Sequence, residues 1–93
     1  MSARTEWTFM TSHALVLIEV ARTPDSTVRE LAARAGLTER QAHRVLSDLV
    51  EDGYVERDRV GRRNRYRIDQ AKPLRHPSVH EHRIGELLEV LGG

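Results

Sequence analysis

The stretch TVRELAARAGLTERQAHRVL, residues 27–46, decides the fold. It holds two helix starts of the capping-box kind, a Ser or Thr followed three residues later by Glu or Gln: Thr27 with Glu30, and Thr38 with Gln41. The first opens a short helix, VRELAARA, stopped by Gly36, a residue type that accepts the positive φ of a helix end. Thr27-Val28 also reads as a short extended segment, with the helix starting one residue later. The second box opens ERQAHRVLSDLVED, ended by Gly53. In that helix Ala42, Val45, Leu46, Leu49 and Val50 share one apolar face, and Arg40, Gln41, Arg44, Ser47 and Asp48 lie away from it. Ala32 and Ala42 are small enough for the two helices to cross closely. Leu37 buries the turn, and Val45 and Leu46 lock the second helix to a core. These are the mechanics of a helix-turn-helix. Its second helix keeps a polar N-terminal face of Thr38, Arg40, Gln41 and Arg44, the geometry that enters a major groove, where Arg suits guanine and Gln suits adenine. Gln41 has two readings: a base reader, or only the closing member of the Thr38 box.

Beyond Gly53 the apolar period shortens. Residues 54–60 and 64–68 flank Gly61-Arg62-Arg63, and Tyr66 and Ile68 alternate with Arg65 and Arg67, so the segment predicts a β-hairpin. The whole chain has a net charge of only +1, yet Arg57, Arg59, Arg62, Arg63, Arg65 and Arg67 stand here against Glu56 and Asp58, a local +4. Fourteen of the fifteen basic residues are Arg, a bias that a GC-rich genome also produces. On the arms, cross-strand pairs of Arg57 or Arg59 with Asp58 or Glu56 account for the charge. At the tip, Arg62, Arg63, Asn64 and Arg65 have no acid beside them, which favours contact with phosphates or a minor groove. Arg29 and Arg34, on the preceding short helix, read as a solvated face.

Upstream, residues 12–22 predict a helix that is apolar almost all round, through Ala14, Leu15, Val16, Leu17, Ile18, Val20 and Ala21. Such a helix is covered on several sides, and in a chain this short another subunit or a C-terminal helix is expected to supply part of the cover. Downstream, a third box, Ser78 with Glu81, predicts a last helix over about 79–91 with Ile84, Leu87, Leu88 and Leu91 in one stripe. The expected organisation is an N-terminal arm (1–11), a helix-turn-helix unit with its hairpin (12–69), a linker holding Pro73 and Pro77 (70–78), and a C-terminal helix (79–93). Trp7 and Phe9 on the arm, with Ile84, Leu87, Leu88 and Leu91, are the expected homodimer interface, because a symmetric contact would cover all three elements together; the alternative is that the last helix folds back on its own first helix in a monomer.

A chain of 93 residues has room for one domain. It has no Cys, which excludes disulfides, thiol catalysis and Cys-based metal sites. No apolar run approaches the roughly 20 residues of a membrane span, and no secretory h-region follows the first residues, so the expected compartment is the cytoplasm. There is no Gly-rich phosphate loop, no GxSxG and no HExxH, so no enzyme activity and no cofactor are expected. His80 and His82 are two apart and fall on different helix faces, and His76 precedes Pro77, so no metal site is expected. His13 and Ser12, and His43 and Ser47, read as coincidental pairs.

The helix-turn-helix, followed by Gly53-Tyr54-Val55 and a basic hairpin with Val60-Gly61-Arg62-Arg63-Asn64-Arg65-Tyr66, resembles small prokaryotic winged-helix transcriptional regulators of the MarR/ArsR-like type over residues 27–68. Trp7-Thr8-Phe9-Met10-Thr11 and Pro73-Leu74-Arg75-His76-Pro77 resemble the flanks of such proteins. The resemblance implies a mainly α fold with a small antiparallel hairpin wing, and sequence-specific binding of double-stranded DNA, usually as a dimer. By matching position, Thr38, Arg40, Gln41 and Arg44 become recognition-helix readers, and Arg62, Arg63 and Arg65 become wing contacts. Full MarR proteins have longer helical flanks that form a dimer interface and a ligand pocket. Here one terminal helix and a short arm stand in their place, and the sequence demonstrates no cavity for a small-molecule effector. The alternatives are a winged helix serving as a protein-interaction module in a transcription or chromatin assembly, and a ligand- or metal-responsive switch.

Overall fold

Thr11 opens the first helix: its hydroxyl accepts from the Ala14 N–H at 3.1 Å, satisfying one of the donors a helix start leaves over. The computed structural model describes residues 7–92, so residues 1–6 of the expected arm and Gly93 lie outside the described residues. The order of elements is α1 (Ser12–Arg22), α2 (Val28–Ala35), α3 (Glu39–Glu51), β1 (Val55–Val60), β2 (Arg63–Ile68) and α4 (Ile84–Leu91). This is the α+β winged helix: helices packed around one core, with a two-stranded antiparallel hairpin between α3 and α4.

Both boxes of the deciding stretch form in full. Thr27 and Glu30 exchange two bonds (2.8 and 3.1 Å), and so do Thr38 and Gln41 (2.9 and 3.1 Å). Between them α2 ends in a Schellman turn, with Leu37 N–H donating to Ala32 O at 2.9 Å and Gly36 N–H to Ala33 O at 3.4 Å. Gly36 has φ +73°, and an added Cβ there would meet nothing within 4 Å. The backbone angle, not crowding, is what asks for glycine. Ala32 and Ala42 are both buried where α2 crosses α3, and Leu31 and Leu46 sit beneath them among the most buried side chains.

α1 is the spine of the core. Val16, Leu17, Ile18 and Val20 are buried, and α1 touches α2, α3, β2 and α4. Its all-round apolar character is therefore met within the chain. Burial of side chains of this size is worth roughly 1.5–3 kcal/mol each.

The C-terminal region differs from the expectation. Ser78 does not cap a helix: residues 76–82 are turns, with Ser78 N–H donating to His76 Nδ1 at 3.1 Å, and α4 begins at Ile84, not near 79. What opens α4 is Glu86, whose carboxylate accepts from the Arg83 N–H at 2.9 Å. Two prolines and a run of His and charged residues, without apolar periodicity until Ile84, explain the late start. The expected linker is instead a strap bonded to the start of α4. Leu74 N–H donates to His82 O (2.9 Å), Ile84 N–H to Lys72 O (2.8 Å) and Gly85 N–H to Gln70 O (2.9 Å), around an antiparallel bridge of Pro73 with Arg83. The Tyr54 hydroxyl donates to Pro73 O at 2.8 Å, tying the strap to the entry of β1.

α4 then folds back on its own α1. Ile84 and Leu88 are buried in the chain's own core, and the Arg22 guanidinium donates to Leu91 O at 3.0 Å. This corrects the expected interface: Ile84 and Leu88 are not available to a partner. Leu87 and Leu91 are half-buried, and Trp7, Phe9 and Val90 are exposed.

Candidate nucleic-acid interface

α3 buries Ala42, Val45, Leu46 and Leu49, which fixes what its opposite side shows to solvent. Arg40, His43, Arg44 and Ser47 follow one another at i, i+3, i+4 and i+7, and all four are exposed. They form the outermost stripe of the helix. Arg40 and Arg44 make no ion pair among the described residues, so toward those residues both guanidinium groups keep their donor forks unused. Thr38 and Gln41 are held differently. The Thr38 hydroxyl accepts from Gln41 N–H and Gln41 Oε1 accepts from Thr38 N–H, so the cap uses both side chains and leaves Gln41 only its amide Nε2. Asp48, on the flank, is tied to α1, its Oδ2 lying 2.8 Å from His13 Nε2. Ser12 and His13 line a shallow depression together with Arg40, Gln41 and Arg44, so the start of α1 borders the exposed face.

Sequence reasoning put Ser47 with Arg40 and Arg44 on the polar side of α3 but left His43 out; the structure exposes both on the same stripe. The signal was present in their spacing with Arg40 and Arg44. The proximity of Ser12 and His13 to this face is tertiary and had no local signal.

The wing is a hairpin of six-residue strands paired from Val55 with Ile68 to Val60 with Arg63, leaving Gly61-Arg62 as a two-residue turn. Gly61 has φ +64° and Arg62 does not share the positive value, the pattern of a type II′ turn. That turn places Arg62 at the tip, exposed and with no ion pair among the described residues. Arg63 and Arg65 are placed lower and are engaged with the α1–α2 turn. The Arg63 guanidinium donates to Asp25 O, and Arg65 Nε lies 3.3 Å from Asp25 Oδ1. Tyr66 N–H also donates to Pro24 O at 3.1 Å, so the same turn braces β2. Asn64 is half-buried.

The acids of the wing arms are taken by one residue. Arg67 Nε donates to Asp58 Oδ2 at 2.8 Å and its Nη2 to Glu56. The hydrogen bond to Asp58, then the charges of Asp58 and Glu56, push the Arg67 guanidinium above its ordinary pKa. Arg67, not Arg57 or Arg59, is thus the cross-strand partner, and Arg59 instead donates to Gly61 O at 3.2 Å. Arg34 is also structural: it donates to Ser26 Oγ at 2.8 Å and to Thr23 Oγ1 at 3.0 Å, satisfying the buried Ser26 hydroxyl.

Among the described residues no group of three or more His, Asp or Glu side chains is arranged to hold a metal ion, and no helix is long and apolar enough to cross a membrane.

A comparison with curated proteins gives no match. The sequence profile of the MarR family matches residues 8–64, from the arm through both helices of the helix-turn-helix to the far side of the wing tip. That match covers more than half of the chain and ends on the basic hairpin whose geometry is given above. With the winged-helix architecture and the open arginine stripe of α3, it identifies the chain as a member of the MarR family of DNA-binding transcription regulators.

Proposed function

We propose that the chain acts in the cytoplasm as a homodimer on double-stranded DNA, at an imperfect inverted repeat, and controls transcription by steric or competitive occupancy. Each α3 enters a major groove with Arg40 and Arg44 as base readers and His43 and Ser47 beside them. Arg62 at the wing tip meets phosphate or minor groove. Arg63, Arg65 and Asn64 act there too, with Arg63 and Arg65 first setting the wing's angle through Asp25. Thr38 and Gln41 orient the readers by holding the start of α3.

The observation that carries this reading is the pair Arg40 and Arg44. They are one turn apart on the solvent side of a helix fixed by four buried residues, and neither has an ionic partner among the described residues. Two forked donors so placed match the O6 and N7 acceptors of guanine.

Selection of bound duplexes from a random pool tests it. The expected product is an inverted repeat whose half-site centres lie about 34–36 Å apart, one helical turn. Enrichment of single half-sites overturns the dimeric reading. Absence of any enrichment, with no salt-dependent retention of DNA, overturns DNA reading and favours a protein-interaction module.

A further inference from the structure

Residues 7–11 lead into α1 as an arm that is neither helix nor strand. Two contacts give it shape. The Thr8 hydroxyl donates to Met10 O, and the Trp7 and Phe9 rings meet edge to face with centroids 5.0 Å apart. Met10 is half-buried and, with Thr8, borders a depression walled by Leu15 of α1 and by Ala35, Gly36 and Leu37 at the α2–α3 turn. Trp7 and Phe9 stand in solvent instead, 70% and 89% exposed.

We propose that this aromatic pair is a DNA contact in its own right, beside α3 and the wing. The two rings lie in the minor groove that borders the major groove entered by α3, against its deoxyribose walls. The proposal rests on the DNA-binding reading above, and it gives Trp7 and Phe9 a duty other than the subunit contact expected of them.

A recognition helix meets base edges with its N-terminal residues. The arm lies beside the turn that delivers that end of α3. Ser12 belongs to both surfaces: it borders the depression under Met10 and also the one that holds Arg40, Gln41 and Arg44. The outer face of α3 therefore continues through Ser12 and His13 to the arm. The wing is braced at the other end of α1, where Arg63 and Arg65 meet Asp25 and Tyr66 N–H donates to Pro24 O. The 11 residues of α1 span about 16 Å at 1.5 Å per residue. That exceeds the roughly 12 Å width of a major groove. With α3 in the groove, wing and arm thus reach opposite edges of it, and beyond each edge lies minor groove.

The rings suit sugar rather than phosphate. Neither carries charge, whereas the guanidinium groups of α3 and the wing serve the backbone. Apolar side chains that meet duplex DNA do so in the minor groove, against sugars and at base steps. The Trp7 indole N–H adds one donor, and the floor of that groove offers only acceptors at A·T pairs. The rings are already packed on each other, so less freedom is lost when DNA arrives.

Trp7 is the sole tryptophan of the chain, so its emission reports the arm directly. The probe is a duplex carrying the site enriched from the random pool, with mixed-sequence flanks and an end label whose anisotropy reports binding independently. Trp7 of the free protein is expected to emit as a water-exposed indole open to acrylamide. At saturating duplex it is expected to be shielded from acrylamide, with the same midpoint as the anisotropy. Hydroxyl radicals attack deoxyribose from the minor groove, and the wild type is expected to protect flanking sugars that W7A/F9A leaves open. W7A/F9A is expected to bind about tenfold more weakly, the factor that about 55 Å² of ring surface kept from water supplies. Its slope of log affinity against log salt is expected to stay that of the wild type, because the rings release no counterion. A bound duplex with Trp7 still open to acrylamide overturns the arm contact and leaves the DNA-binding reading standing. So does a Trp7 shielded without any change in the sugar footprint, because protein then covers the ring. A reduced salt slope in W7A/F9A also overturns it, since the arm then only positions cationic groups. No duplex bound at any salt removes the arm contact together with the DNA-binding reading. The wild-type acrylamide titration decides even if W7A/F9A fails to fold.

Discussion

Thr38 and Gln41 hold each other at the start of α3, hydroxyl to N–H at 3.1 Å and amide oxygen to N–H at 2.9 Å. This reciprocal pair stands at the start of the helix that carries Arg40 and Arg44, the proposed readers, and spends the Gln41 amide oxygen on the cap. Thr38→Ala is expected to lower stability by about 1 kcal/mol, the usual cost of losing such a cap. Base preference in a selection experiment is expected to keep its pattern. Urea denaturation reads the first effect, and a changed preference at a single position would return Thr38 or Gln41 to the readers.

Arg40→Ala and Arg44→Ala are each expected to cost about 1–3 kcal/mol of affinity for the selected site and to relax preference at one base position. Equilibrium binding to a panel of single-base variants measures both quantities. Uniform weakening across the panel would instead mark the residue as a phosphate contact.

Arg62→Ala is expected to weaken binding to all sequences alike and to reduce the slope of log affinity against log salt by about 1, since one fewer counterion is released. Arg65→Ala works through the Asp25 brace of the wing. It is expected to weaken binding as well, but with a wing whose backbone amides exchange faster. Hydrogen exchange of residues 55–68 separates the two.

Leu88→Ala is expected to destabilise the chain by about 2–5 kcal/mol, because Leu88 belongs to the core beside α1. Val90→Ala, on the exposed side of the same helix, is expected to change stability by less than about 0.5 kcal/mol. Denaturation midpoints at two protein concentrations test this, and equal losses would mean that α4 is not docked as described.

The Glu30 carboxyl lies below its ordinary pKa, chiefly because the Thr27 N–H donates to it, with smaller help from the Thr27 side chain, Arg34 and Arg63. The unfolded chain therefore binds more protons between the two values, and this contribution to stability falls as pH falls. It is complete above the ordinary glutamate value of about 4.3 and is lost on descent through the lower folded value. Glu30→Gln keeps the acceptor and removes the titration, so its stability is expected to fall less steeply with acid than that of the wild type. Parallel acid limbs for the two proteins in urea melts would exclude the cap as their source.

The helix-turn-helix was legible residue by residue because its determinants are local. Thr27 with Glu30, Gly36, and Thr38 with Gln41 each act within a turn of the backbone, and the structure forms all of them. The hairpin was legible from alternation and from Gly61. Two things were not. The start of α4 was misplaced because Ser78 and Glu81 have the spacing of a box, whereas the strap pairs Pro73 with Arg83 and delays the helix to Ile84. The cover of α1 was left open between a second subunit and the last helix, because the choice depends on how residues 70–74 lie beside 82–85, a long-range arrangement with no periodic trace. On the wing, charge counting found the arginines but not their duties. Arg67 takes both nearby acids, Arg63 and Arg65 turn to Asp25, and Arg62 alone stands at the tip.

The bond from Arg22 to the carbonyl of Leu91 spans 69 residues. During synthesis α1 is made before α4, and chains are extended at about 5–20 residues per second. The flank of α1 against which Ile84 and Leu88 pack thus waits several seconds for its cover after the helix-turn-helix has had time to form. A nascent chain stopped before residue 84 would present that leucine-, isoleucine- and valine-rich flank to the translation machinery and its chaperones, as a client rather than as a finished regulator.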